Sequence, residues 1–214
     1  MTGGLVVIGA SFGGFDALKV VLGVLPAAFP VPIAIVQHQG SHGPGLAGLL
    51  QRYTALTVVD AEDKDIARPG NVYLAPPGYH LLAEQGGFAL SVDPPVLHAR
   101  PSVDVLFESA ADTYGSGAIG VILTGTGRDG AAGLARIREC GGVTLVQDPA
   151  TASRAAMPAA ALAQTTVDWT LPLEEIGPRL MALLQTPTRT QIFPREVPQA
   201  PGPRAVPRAS GVRM

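Results

Sequence analysis

A single cysteine, Cys140, rules out an internal disulfide. A reduced, cytoplasmic setting agrees with that. Aromatic residues make up only 5% of the chain, so its 47% hydrophobic content rests on Ala, Val and Leu. Neither charge sign prevails. Fifteen basic residues face 17 acidic ones, for a net charge of −2, without the basic excess expected of a nucleic-acid-binding protein. No apolar run approaches the ~20 residues of a membrane-crossing helix, which argues against membrane insertion. Leu5-Val6-Val7-Ile8, close behind Met1, is too short for a secretory signal and follows no basic segment. It reads as a first strand. The four histidines include no pair at metal-ligand spacing, so neither a metal nor another cofactor is expected.

What is present is an alternation of strand and helix signals. Leu5–Ile8, Ile33–Val36, Leu56–Val59, Val72–Leu74, Ile119–Leu123 and Val143–Val146 are short aliphatic runs. Runs apolar on both faces suit a parallel sheet covered on both sides. Leu18, Val21, Leu22 and Leu25 recur at helical spacing, as do Leu46, Leu49, Leu50 and Tyr53. Val103, Leu106, Phe107, Ala110 and Tyr114 nearly repeat the pattern. Leu134 and Ile137 lead to a Gly141-Gly142 stop, and Ile176, Leu180, Leu183 and Leu184 mark a last helix. The fold class is therefore α/β: a doubly wound, mostly parallel sheet with helices on both faces. Asn71–Val92, with Pro76-Pro77-Gly78 and Gly86-Gly87, reads as a small antiparallel excursion at one sheet edge.

The composition changes near Thr186. Residues 186–214 hold six prolines, five arginines and one acidic residue, with no apolar periodicity. Such a segment cannot bury enough surface to offset its chain entropy. Residues 1–185 are expected to form one domain of net charge −6, and 186–214 a disordered basic tail.

Ligands of open α/β sheets sit beyond the carboxyl ends of the strands. Three predicted strand exits carry reactive groups. Gly9-Ala10-Ser11-Phe12-Gly13-Gly14 places Ser11 ahead of a helix, where amides favour developing negative charge. Gln37-His38 ends the second strand with a group that exchanges protons near neutrality. Leu123-Thr124-Gly125-Thr126-Gly127-Arg128-Asp129-Gly130 carries a carboxylate able to orient an imidazole. Taken singly, Ser11 and Asp129 also read as helix caps and His38 as a polar strand end. Together they supply nucleophile, base and orienter for covalent acyl transfer.

Two look-alikes fall away. Ser11 replaces the second glycine of a dinucleotide-binding fingerprint, and the ribose-binding acid is missing. Gly9-Ala10-Ser11-Phe12-Gly13 matches G-x-S-x-G, but α/β-hydrolases order their triad Ser, Asp/Glu, His. The order here is Ser, His, Asp.

Six motifs in one order carry a family resemblance. They are Val7-Ile8-Gly9-Ala10-Ser11-x-Gly13-Gly14, Val36-Gln37-His38, Val72 to Gly78 with His80, Arg100-Pro101-Ser102-Val103-Asp104-Val105-Leu106-Phe107, Leu123 to Ala131, and Gln147-Asp148 with Met157-Pro158. Across about residues 4–185 the chain resembles the CheB-type protein-glutamate methylesterase domain. The resemblance implies a parallel α/β sheet and a triad of Ser11, His38 and Asp129. It implies hydrolysis of glutamate γ-methyl esters on the cytoplasmic helices of methyl-accepting chemoreceptors, with deamidation of some receptor glutamines alongside. Main-chain amides at Phe12 and Thr126 would receive the oxyanion. Arg100, Ser102, Asp104 and Met157 become candidates for the substrate groove.

Phe12 departs from the hydroxyl residue common at its position in this family, Thr126 from methionine, and Ala156 from glycine. Phe12 leaves open an inactive binding module of the same fold. The catalytic motif begins about nine residues in, without the receiver domain common in chemotaxis members. The chain is expected to be a fragment, a stand-alone form, or a protein under a separate regulator, which leaves a non-chemotaxis ester open. His42, His80 and His98 read as loop residues, solvent-facing or structural, and Cys140 as inert.

Overall fold

The computed structural model describes residues 4–38 and 45–185. The expected tail from Thr186 and His42 lie outside the described residues.

Seven parallel strands form the central sheet: β1 (Leu5–Ala10), β2 (Ile33–Gln37), β3 (Thr57–Asp60), β4 (Asn71–Leu74), β7 (Ala118–Ile122), β8 (Val143–Gln147) and β9 (Trp169–Leu171). Their order is β3-β4-β2-β1-β7-β8-β9. β5 (His80–Glu84) and β6 (Gly87–Ser91) pair antiparallel as a separate hairpin. The helices are α1 (Gly14–Gly23), α2 (Leu46–Leu50), α3 (Val103–Tyr114), α4 (Ala131–Glu139), α5 (Ala156–Gln164) and α6 (Leu173–Gln185).

All six residues of β1 are buried, because the strand is central and covered on both faces. Successive side chains alternate between faces. Val6 and Ile8 join a core with Leu18, Val21 and Leu22 of α1 and Ile176 and Leu180 of α6. Leu5 and Val7 join the opposite core with Val103, Leu106 and Phe107 of α3 and Leu134 and Ile137 of α4. Gly9 lets α3 approach β1, since a Cβ there would collide with Val103.

The excursion differs from its expected place. Asn71–Leu74 belongs to the parallel sheet between β3 and β2. Only the following hairpin is antiparallel, and its strand β5 packs on α3, with Leu81 and Ala83 in the shared core, instead of extending an edge. The chain departs from β1 toward β2 on one side, while β7 leads toward β8 on the other. The carboxyl ends of the adjacent β1 and β7 are thus the switch point of the sheet.

Candidate active site

The three reactive exits meet at that switch point. Ala10 is in register with Gln37, and Gly9 with Ile122. The amide of His38 donates to Ala10 O at 3.0 Å, and that of Ser11 to Thr124 O at 3.0 Å. The ladder hydrogen bonds therefore continue one residue past the strands, holding the loops side by side. A cleft of about 690 Å³ opens there, lined by Ser11, His38, Thr126 and Asp129 and walled by residues 97–101.

His38 Nε2 lies 2.8 Å from Asp129 Oδ2. Asp129 is buried and accepts three further hydrogen bonds. Ser102 Oγ donates to Oδ1 at 2.8 Å, the Val103 amide to Oδ2 at 2.8 Å, and the Asp104 amide to Oδ1 at 3.0 Å. Burial works to raise the Asp129 pKa, but the donors from His38, Asp104, Val103 and Ser102 outweigh it and hold the carboxyl below its ordinary value. An ionised carboxylate can only accept, so Nε2 is the donor of this pair and Nδ1 is the ring nitrogen left to act as a base.

Ser11 is half-buried on the same cleft, and no hydrogen bond joins its hydroxyl to His38. Such contacts are often long in free enzymes and tighten when substrate binds. The backbones are tied instead by Gln37, whose Nε2 donates to Ser11 O at 2.7 Å and to His38 O at 3.0 Å. Gln37 Oε1 is buried without a partner among the described residues, so the amide orientation follows from its donor side alone.

Thr124 fastens the opposite wall. Its Oγ1 bonds Phe12 O at 3.1 Å and Arg154 O at 3.3 Å and accepts from the Arg154 amide at 2.9 Å. The Thr124 amide donates to buried Gln147 Oε1 at 2.8 Å. Among the described residues, the amides of Phe12 and Thr126 donate to no partner. Phe12 is 58% exposed, with the Arg154 guanidinium 4.8 Å from its ring centroid, and it is not among the residues that line the cleft.

The groove candidates separate. Arg100 lines the cleft, with Nη1 donating to Val92 O at 2.8 Å and Asp93 O at 3.1 Å. Ser102, Asp104 and Met157 do not line it. Ser102 is fully buried beneath Asp129, and Met157 packs under Gly125. Asp104 accepts from the Gly130 and Gly133 amides at 2.9 and 2.8 Å. Burial first, with the Asp129 charge also contributing, pushes its pKa up to about 6. The expected caps are also rearranged. The N-caps of α1 and α4 are Gly13 and Gly130, both at positive φ, and Ser102 at the start of α3 makes no side-chain cap bond of its own. His80 lies in β5 and is buried, not in a loop. Gln37, Thr124, His80 and Gln147 stand within the sequence motifs, but nothing in their spacing or periodicity set them apart as the supports of the site.

The model of the CheB methylesterase family matches residues 6–180. The chain belongs to the CheB methylesterase family. A relative from Leptospira interrogans is 46% identical over 182 residues, covering 84% of this chain and 94% of its own. The protein-glutamate methylesterase FrzG of Myxococcus xanthus is 46% identical over 179 residues, 83% of this chain and 54% of that protein. The chain thus spans nearly all of the first relative and about half of the second. The CheB methylesterase catalytic domain of Thermotoga maritima superposes with a TM-score of 0.80 at 37% identity, covering 86% of this chain and all of that one. The doubly wound sheet and separate hairpin are therefore this CheB family member's fold. Among the described residues, no group of three or more His, Cys, Asp or Glu could hold a metal ion, and no helix is long and apolar enough to cross a membrane.

Proposed function

We propose that this CheB family member is a protein-glutamate methylesterase in which Ser11, His38 and Asp129 act as a triad. The observation that carries the reading is the 2.8 Å His38–Asp129 contact on a cleft shared with Ser11. Ser11 Oγ attacks the γ-ester carbonyl as His38 Nδ1 takes its proton. The carbonyl oxygen gains negative charge and is met by the amides of Phe12 and Thr126. The tetrahedral intermediate collapses, methoxide leaves with the proton held by His38, and methanol departs. Water then attacks the acyl-serine, giving a proton to His38, which returns one to Ser11 as the glutamate carboxylate leaves. An amide in the same position would release ammonia, the protein-glutamine glutaminase activity that the name of a relative from Anaeromyxobacter dehalogenans includes.

The substrate of this reading is the cytoplasmic helical region of a methyl-accepting chemoreceptor, and the setting is the cytoplasm. Methanol release from a methylated receptor fragment tests it, with Ser11→Ala beside the unaltered protein. The variant should lose about 10⁶ in rate, as removal of a triad serine does elsewhere. Undiminished release by Ser11→Ala ends the reading.

A further inference from the structure

Among the described residues, three other than glycine have positive φ: Lys64, Leu97 and His98. Leu97 (φ 48°) and His98 (φ 66°) are adjacent and form the two-residue tip of a tight turn. The Val96 amide donates to Ala99 O at 3.1 Å and the Ala99 amide to Val96 O at 2.8 Å. Positive φ at both central residues is the type I′ pattern, for which Asn-Gly is the preferred pair. A leucine is poorly suited to the left-handed region.

This turn is held from both sides. Arg100 Nη1 grips Val92 O and Asp93 O. Buried His80 bonds Pro94 O through Nε2 at 3.2 Å and accepts the Ser102 amide on Nδ1 at 3.2 Å. Disfavoured backbone persists where the surroundings over-determine it, and such positions gather at functional sites. Leu97 is also 43% exposed, and both tip residues wall the cleft that holds Ser11 and His38. Leu97 belongs to neither hydrophobic core.

We propose that the Leu97–His98 tip is a specificity element that binds the polypeptide flanking the ester. Leu97 offers an aliphatic contact to an apolar side chain of the substrate segment, and His98 a polar one. The proposal rests on the esterase reading above. The tip touches the flanking segment and not the reacting atoms, so it acts on substrate capture.

The test compares the unaltered protein with Leu97→Asn/His98→Gly and Leu97→Ala/His98→Ala. Steady-state methanol release is followed on a receptor cytoplasmic fragment carrying glutamate γ-methyl esters, and thermal unfolding is measured in parallel. Both variants should raise KM at least about tenfold with kcat within about threefold, a pattern of lost binding before the chemical step. The Asn/Gly variant should unfold about 2–4 °C higher, because it suits the turn. The Ala/Ala variant should not gain that stability. KM within twofold in both variants, or a fall in kcat at constant KM, overturns the role of the tip. An Asn/Gly variant that unfolds lower overturns the claim that the native pair is kept against the backbone's preference. Methanol release absent even from the unaltered protein defeats the esterase reading itself, a result distinct from either.

Discussion

Asp104 and Asp129 cap each other's helices. Asp129, just before α4, accepts the Val103 and Asp104 amides at the start of α3, while Asp104, in the first turn of α3, accepts the Gly130 and Gly133 amides at the start of α4. Each carboxylate thus meets the positive end of the other's helix. The exchange locks the two helices together and sets the orientation in which Asp129 faces His38.

Replacing Asp104 separates its hydrogen bonds from its charge. Asp104→Ala leaves two buried amides without acceptors and should destabilise the fold by about 2–6 kcal/mol, at roughly 1–3 kcal/mol for each unsatisfied group. Asp104→Asn keeps an acceptor and should lose less. The folded pKa of Asp104 is raised from 3.8 to about 6. Its stabilising contribution is therefore complete below the unfolded value and is lost as pH rises through about 6. Urea titrations across that window should show the Asn variant gaining on the unaltered protein as pH increases. A constant gap would contradict the raised pKa.

Ser102→Ala removes one of four donors to Asp129. A hydrogen bond to a buried charge is worth about 1.5–3 kcal/mol. The Asp129 pKa is held below its ordinary value, so its contribution is present above the unfolded pKa and disappears as pH falls through the folded one. Weakening that hold should move the acid-unfolding midpoint to higher pH, followed by circular dichroism, and lower kcat. An unmoved acid midpoint would show that the serine does not help to hold the carboxylate ionised.

Gln37→Glu tests the bridge between the Ser11 and His38 loops. A carboxylate cannot donate to Ser11 O, and its charge would repel both carbonyls that the amide now joins. A shift of about 1 Å between reacting groups costs on the order of 10² in rate. The variant should lose about that factor in kcat while remaining folded, as measured by methanol release and near-ultraviolet dichroism together. Full activity would mean that the ladder bonds alone hold the two loops.

Gly125→Ala should be damaging without touching a reactive group. A Cβ at that position collides with Met157 Sδ and comes within 2.8 Å of Ser11 Cβ. Overpacking costs about 1–3 kcal/mol, taken up here by movement of the buried methionine or the Ser11 loop. Labelling of Ser11 by a fluorophosphonate probe should slow at least about tenfold, and an unchanged rate would show that Met157 absorbs the added carbon.

Much of the architecture was legible along the chain. Six aliphatic runs became parallel strands, with bounds shifted by a residue or two at some ends, because a strand buried on both faces needs continuous apolar residues. Trp169–Leu171 was missed as a three-residue edge strand, as was α5, whose alanine-rich sequence has little amphipathic contrast. The antiparallel stretch was visible, but its division between the main sheet and a separate hairpin was not, since pairing partners leave no periodic signature. Ser11, His38 and Asp129 could be singled out because reactive residues ending strands of a parallel sheet converge on one edge. The 2.8 Å imidazole–carboxylate contact, the burial of Ser102 and Asp104, the Gln37 bridge and the strained Leu97–His98 tip came only with the tertiary structure. Local sequence encodes which residues are apolar and where the chain turns. Hydrogen bonds between residues 26 to 91 positions apart depend on how the helices seat against the sheet, which no short window contains.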